Sequence, residues 1–319
     1  MATQFKTYDQ VGKKEDISDV ISNISPTTTP FQSLIKGEKV MNTVFGWQED
    51  SLADVADNAK TEGHQASDND LGATTLRQNY TQIMSKTVNV TATADAVGTY
   101  GRAKETAYQL AKKSAELKRE LEYHLVGKAQ NAAAGDASTA RTFANAFGTY
   151  VGGAAVIDSS VTVTTDSDGG TAGNQAGALT EANILSANQK LYEAGSDASY
   201  IMVKPADSLI IAGFDKSAGR SRTINDTVKT VVNAVDLYVS PFGEQKVIIN
   251  RFLKATECLI FKPEMWRLVT LRPFTRELLA KTGDSDRHFI VGEFSLKHMN
   301  AKGSARITNL SGTNGNLPA

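Results

Sequence analysis

The stretch from Thr93 to Gly135 constrains this 319-residue chain most, because it reads as one amphipathic helix too long for a compact domain to hide. Its apolar stripe is Tyr100, Ala103, Ala107, Leu110, Ser114, Leu117, Leu121 and Leu125, in steps of three and four that hold one face. Thr93 or Asp95 can cap the start, and Gly135 can end the helix in a left-handed turn. The opposite face carries Lys104, Lys112, Lys113, Glu116, Lys118, Arg119, Glu120 and Glu122. Lys112 with Glu116, and Lys118 with Glu122, fall at the spacing of surface ion pairs. The part after Gly98 would extend roughly 50 Å, against a radius of gyration of about 20 Å for a compact ball of this length.

The chain before this helix has little to bury on itself. Residues 1–36 are polar, with Pro26, the run Thr27 to Thr29, Pro30 and one short helical pattern at Ile17, Val20, Ile21 and Ile24. They predict an arm that stays free or lies on another chain. Val40 to Glu49 alternates, with Met41, Thr43, Phe45 and Trp47 on one side, and Thr74 to Thr93 alternates again through Leu76, Tyr80, Met84, Val88 and Val90. Between these runs, Asp50 to Gly72 is polar and acidic, with Asp54, Asp57, Glu62, Asp68 and Asp70 beside Lys60 and His64. The pattern predicts a long hairpin with an elaborate tip over residues 37–92. A two-stranded hairpin is marginal alone in water, so it needs a surface from its own body or from a neighbouring subunit.

Beyond the helix, Arg141 to Val163 reads as strand and Thr164 to Gly177 as a flexible loop. Thr180 caps a helix that Gly195 ends, and Pro205 opens another through Ile211 after a short strand, Tyr200 to Val203. Further strands are predicted at Val235 to Val239, Lys246 to Asn250, Leu259 to Phe261, Trp266 to Leu271, His288 to Glu293 and Ala305 to Leu310. The class is α+β, because strands do not alternate strictly with helices.

Charge and chemistry narrow the function. The 34 basic and 35 acidic residues nearly cancel, so no long-range field draws this chain onto nucleic acid, and any such contact is local and weak. No apolar run approaches a membrane span, and the N-terminus lacks the apolar segment of a signal peptide. Cys258 is the only cysteine and sits in an apolar run, which reads as a core residue and excludes an intrachain disulfide. Ser285 with His288 invites a serine-hydrolase reading, but the Gly-x-Ser-x-Gly elbow is missing and a polar turn between strands suits the residues better. Asp166, Asp168 and Gly170 hint at a calcium loop that has no closing acid, and the four histidines show no metal-binding spacing. No catalytic, cofactor or metal site is therefore assigned. Arm, hairpin and spine each expose surface that a monomer would struggle to satisfy, so the expected partner is a second copy of the chain.

Several runs carry a resemblance. Asn79 to Val88 (NYTQIMSKTV), Glu116 to Glu122 (ELKRELE), Tyr238 to Gly243 (YVSPFG), Asn250 to Phe252, Lys281 to Ser285, and Gly292 to Leu296 with Asn300 occur in an order similar to that of the major capsid proteins of short-tailed double-stranded DNA phages with the Hong Kong 97-like fold. The resemblance covers roughly Ile24 to Leu310 and implies names for the segments. Residues 1–36 would be an N-terminal arm, 37–92 the extended loop, 93–135 the spine helix, 136–179 peripheral strands with a flexible loop, 180–258 an axial domain, and 259–319 the return strands of the peripheral domain. It further implies hexamers and pentamers tiling an icosahedral virion shell around DNA, assembled in the host cytoplasm. A separate scaffolding protein, a portal and a possible decoration protein would be partners, with the packaged DNA touched only weakly. Phe31, Trp47, Lys60, His64, Tyr80 and Phe242 are the candidate inter-subunit contacts, Lys60 also being the conceivable donor for the Lys to Asn crosslink of some relatives. A cellular nanocompartment shell of the same fold is the alternative, ahead of a hydrolase.

Overall fold

The computed structural model describes residues 25, 27–53, 55–65, 71–98, 100–148, 162–164, 177–214 and 237–311. The helical pattern at Ile17 to Ile24 and the candidate calcium loop at Asp166 to Gly170 lie outside them. In chain order the elements are α1 (Pro30–Leu34), β1 (Lys36–Lys39), β2 (Val44–Glu49), β3 (Thr75–Tyr80), β4 (Gln82–Thr91), α2 (Ala92–Ala96) and α3 (Glu105–Glu122). Then come β5 (Thr162–Thr164), α4 (Glu181–Glu193), β6 (Tyr200–Val203), α5 (Pro205–Gly213), β7 (Leu237–Ser240), β8 (Gly243–Ile249), β9 (Cys258–Phe261), β10 (Trp266–Leu278), β11 (Ser285–His298) and β12 (Ser304–Thr308). They form a four-stranded sheet in the order β1-β10-β11-β4, a six-stranded sheet in the order β5-β12-β9-β6-β8-β7, and the hairpin β2-β3.

The spine is shorter than its sequence pattern. The expected single helix over 93–135 is instead α2, a break containing Gly98 and the left-handed Gly101 (φ +76°), and α3 continued by a π turn, Tyr123–Gly127. Together α3 and its π turn span roughly 34 Å. Gly127 marks the end, because a Cβ there would meet the Tyr123 ring at 2.3 Å and the Phe252 carbonyl at 2.7 Å. The chain then folds back. Gln130 Nε2 donates to the carbonyl of Phe143 (2.8 Å) and to Gln82 Oε1 (2.7 Å), and Asn145 Nδ2 donates to the carbonyl of His124 (2.8 Å). Gly135 is left-handed (φ +70°), but in a tight turn closed by the bridge between Ala133 and Thr142. These tertiary hydrogen bonds outweigh the helical propensity of the Ala-rich run, which is only a weak prior.

Leu117, Leu121 and Leu125 of the stripe are buried, whereas Ala103, Ala107 and Ser114 are exposed. Neither expected ion pair on the helix forms. Glu116 turns to Lys86 of β4 (2.8 Å) and to Lys113 (2.9 Å), Glu120 also reaches Lys86, and Glu122 is buried. Burial works to raise the Glu116 pKa, but the hydrogen bonds and charges of Lys86 and Lys113 outweigh it and hold the carboxyl at about 2. Its stabilising contribution is present above the ordinary carboxylate value and is lost as pH falls towards about 2. Glu116→Gln is expected to flatten the acid side of a thermal-melt series between about pH 5 and about pH 2. A parent-like slope would show that the pair does not stabilise the fold.

The second alternating run also divides. Its first half, β3, pairs with β2 from Val44↔Tyr80 to Glu49↔Thr75, and its second half, β4, pairs with β11 from Gln82↔Phe294 to Thr91↔Ser285. Residues 37–92 are therefore not one hairpin: β1 and β4 lie in the four-stranded sheet, and only β2-β3 forms a separate two-stranded sheet. The 259–319 block divides too, β9 and β12 joining the six-stranded sheet beside β6 while β10 and β11 build the four-stranded one. The Arg141 to Val163 region supplies only the Thr142 bridge among its described residues before β5. The helix from Thr180 to Gly195 is as expected: the Thr180 hydroxyl accepts from Asn183 N–H (3.3 Å) and Gly195 is left-handed (φ +84°).

Alternation within the six-stranded sheet gives it two apolar faces. Met202, Leu259 and Phe261 join the core under the spine, with Leu117, Leu121, Leu125, Phe31, Trp266 and Phe294. Ile201, Val203, Cys258 and Ile260 face a second core with Ile184 and Leu191 of α4. Cys258 is fully buried, and burial pushes its thiol pKa far up, so it is a core residue in an unreactive form.

Candidate assembly interface

The projecting hairpin meets the body through a polar knot. Asn79, buried near the end of β3, uses its whole amide: Nδ2 donates to the carbonyls of Ala144 (2.9 Å) and Leu296 (2.7 Å), and Oδ1 accepts from the N–H of Ala144 (2.8 Å) and Tyr80 (2.9 Å). Two residues on, Thr81 donates its hydroxyl to Glu293 Oε1 (2.6 Å). The buried Glu293 carboxylate also takes Arg141 and Arg272 (3.2 Å). Ser295 donates to the Tyr80 carbonyl (2.6 Å), which leaves the hairpin base tied to β11 from three sides. Trp47 packs the inner face of the hairpin onto the core, with its ring stacked on Phe45 at 5.9 Å.

From this rigid base the tip stands off. Every described residue from Asp50 to Thr74 is exposed. Leu52, Val55 and Leu71 are apolar side chains at 95 % exposure or more, which no monomer gains by presenting to water. Lys60 and His64 lie in this exposed segment. Where the tip leaves its strands, a cleft of about 220 Å³ opens between Glu49, Asp50, Thr75 and Arg77 on one side and the turn Asn300 to Lys302 on the other.

The arm's exit is fixed by a second knot. Glu122, at the end of α3, accepts from the backbone N–H of Phe31 (2.8 Å) and Gln32 (3.1 Å) at the start of α1 and from Asn250 Nδ2 (2.7 Å). A carboxylate placed on two free N–H groups of a helix start acts as a cap supplied from another element. Burial raises the Glu122 pKa, while these hydrogen bonds pull the other way. Gln32 Nε2 adds a bond to the Lys118 carbonyl (2.8 Å).

Of the candidate contacts, Phe31 and Trp47 are corrected, because both are buried in their own chain. Phe31 fills a hole between Phe261 (5.5 Å between ring centroids) and Trp266 (5.8 Å). Tyr80 is half-buried at the hairpin base, and Phe242 is half-buried in the β7-β8 turn, 5.8 Å from the exposed ring of Tyr192. Sequence reasoning did not single out Asn79, Glu293 or Glu122. Periodicity gave no signal for Glu122 or Asn79, since it put the first on the polar face of the helix and the second out of phase with Leu76 and Tyr80.

Ser285 and His288 both lie on β11, three residues apart, so their side chains point to opposite faces of the strand and form no catalytic pair. Among the described residues no three His, Cys, Asp or Glu side chains stand together as a metal site, and no helix is long and apolar enough to cross a membrane.

Comparison with known proteins converges on one group. The family model described as SU10 major capsid protein matches residues 1–311. The major capsid protein of Escherichia phage Phieco32 is 34% identical over an alignment 346 positions long, covering 97% of this chain and 98% of that protein. A chain of the cyanophage A-1(L) capsid asymmetric unit superposes with a TM-score of 0.67 at 10% identity, over 96% of this chain and 99% of that one. The holo-SrpI encapsulin complex from Synechococcus elongatus gives 0.58 at 10% identity, over 98% and 97%. At such identities these structures speak for the fold alone.

Proposed function

The chain belongs to the SU10 major capsid protein family and has the Hong Kong 97-like fold, and from that premise we propose that it is the shell subunit of a tailed phage. Hexamers and pentamers of the chain tile an icosahedral virion shell around double-stranded DNA and are assembled in the host cytoplasm. A separate scaffolding protein sets the curvature, a portal occupies one vertex, and a decoration protein is a further possible partner. The arm, the four-stranded sheet with α3, and the six-stranded sheet with α4 and α5 correspond to the N-terminal arm, peripheral domain and axial domain of this reading.

One observation carries the reading: the hairpin is locked to the body at Asn79 and Glu293, yet its tip, with Leu52, Val55 and Leu71 bare, covers nothing of its own chain among the described residues. A rigid lever ending in unburied apolar groups is built to land on another copy, and closed symmetry allows every copy to be covered in turn. Tyr80 and Phe242, both half-buried, and Lys60 and His64 on the tip remain the contact candidates.

Replacing residues 55–68 with a short glycine-serine link is expected to give folded subunits that make no shells, scored by electron microscopy and light-scattering mass. Particles of parental size and number would remove the lever from the mechanism. The encapsulin likeness makes a cellular compartment the second reading, since the fold suits both. Particles purified after expression with the neighbouring genes distinguish them: DNA inside supports the phage shell, and a protein cargo without DNA the compartment.

A further inference from the structure

Charge on the spine helix is sorted by face. All four acids of α3 are engaged, three of them with other elements: Glu116 with Lys86 as well as Lys113, Glu120 with Lys86, and Glu122 with Phe31, Gln32 and Asn250, while Glu105 pairs locally with Arg102 and Gln109. None of the four is in an exposed position. The exposed residues of the helix and its N-cap are Lys104, Ala107, Ala111, Lys112, Ser114, Ala115 and Lys118, with Arg119 half-buried beside them. Lys112, Lys118 and Arg119 make no ion pair among the described residues, and Asp95, which feels the charge of Lys104, turns its carboxylate to the Thr106 N–H (3.0 Å). Lys104 also sits at the N-cap of α3, the end of a helix where a positive charge is disfavoured. The helix dipole favours Arg119, which stands in the last turn of α3, but it calls for neither Lys104 nor Lys112.

We propose that this cationic face of α3 is the surface of the subunit that touches the backbone of packaged double-stranded DNA. The inference rests on the shell reading above and assigns the weak DNA contact to named residues. From Lys104 to Lys118 the row extends roughly 21 Å, and on B-DNA phosphates follow one another every few ångströms, so several charges can be met at once. The short side chains of Ala107, Ala111 and Ala115 between the lysines let a rod approach the helix closely. No aromatic or amide side chain projects from this face to read a base edge, so the contact is to phosphate and is indifferent to sequence. Three or four cations per subunit are few enough to let DNA slide along a wall during packaging.

Charge complementarity offers one competitor, the hairpin tip of a neighbouring copy, which between Asp50 and Gly72 carries six acids to one lysine. The tip also carries bare apolar groups, and the row on α3 offers them only alanines, which favours the polyanion.

The test uses the full chain with Lys104, Lys112 and Lys118 replaced by Gln, and a second variant with Arg at the same positions. Affinity of unassembled subunits for a short duplex DNA is measured against salt, and shell formation is scored separately without DNA. The Gln variant is expected to form shells and to flatten the slope of log affinity against log salt by about 2 to 3, with the Arg variant restoring it. An unchanged slope overturns the assignment. So does loss of shell formation in the Gln variant, which would make the row a subunit contact for the acidic tip. A parent chain that forms no particles would instead sink the shell reading, whatever its DNA slope.

Discussion

Asn79→Ala is expected to leave a folded subunit, less stable by about 3 kcal/mol, that has lost most of its capacity to form shells. The magnitude follows from what alanine leaves behind. The carbonyl of Leu296 and the N–H and carbonyl of Ala144 all bond the Asn79 amide inside the protein, and an orphaned buried polar group costs about 1–3 kcal/mol. Water reaching the knot would soften the total. The functional loss comes from geometry: with the amide gone, the hairpin hangs on Thr81, the Ser295 bond to the Tyr80 carbonyl and the Trp47 contact, and its tip is held less firmly in place. Asn79→Asp should be worse, since it turns two donations into a charge facing two carbonyls. Chemical denaturation and particle counts by electron microscopy test this, and a variant with parental stability and yield would show that the knot is dispensable.

Replacing Glu122 separates a packing role from a hydrogen-bonding one. Glu122→Ala unpairs three donors and should cost about 3–4 kcal/mol, and it should open the chain around Ser25 to Pro30 to protease because α1 loses its cap. Glu122→Gln keeps the oxygen that serves Phe31 and Asn250 but turns an NH₂ group towards the Gln32 N–H, so about 1–2 kcal/mol is expected. Urea unfolding and limited proteolysis on both variants check the order. Equal effects would mean that side-chain volume, not the hydrogen bonds, holds the arm.

The contrast between α4 and the spine shows what local sequence can carry. Thr180, Asn183 and Gly195 specify the start and stop of α4 through contacts within a few residues, and that helix is where its pattern puts it. The end of the spine is decided by Gln130 and Asn145 reaching back to Gln82 and His124, bonds that no window of periodicity contains. The hairpin tells a similar story. Alternation placed Phe45 and Trp47 on one side correctly, but not which side met the body. Phe31 looked like arm surface because its neighbours are polar, and the hole it fills is lined by Phe261 and Trp266, more than two hundred positions away. The acidic tip was legible from composition, and its described residues are all exposed. The knots at Asn79 and Glu122 were not, since a buried polar residue declares itself only once its partners are assembled around it.

The four-stranded sheet takes β1 and β4 from the first third of the chain and β10 and β11 from the last. Asn79 closes on the carbonyl of Leu296, 217 positions later. On a ribosome adding about 5–20 residues per second, the hairpin emerges early and waits many seconds for the strand that will seat it. Throughout that interval it has no platform, and a lever without a fulcrum cannot engage a neighbour. On the proposed shell function, chain completion would act as a clock: subunits would become competent to join a shell only when nearly finished, and truncated chains would be kept out of the lattice without any separate inspection step.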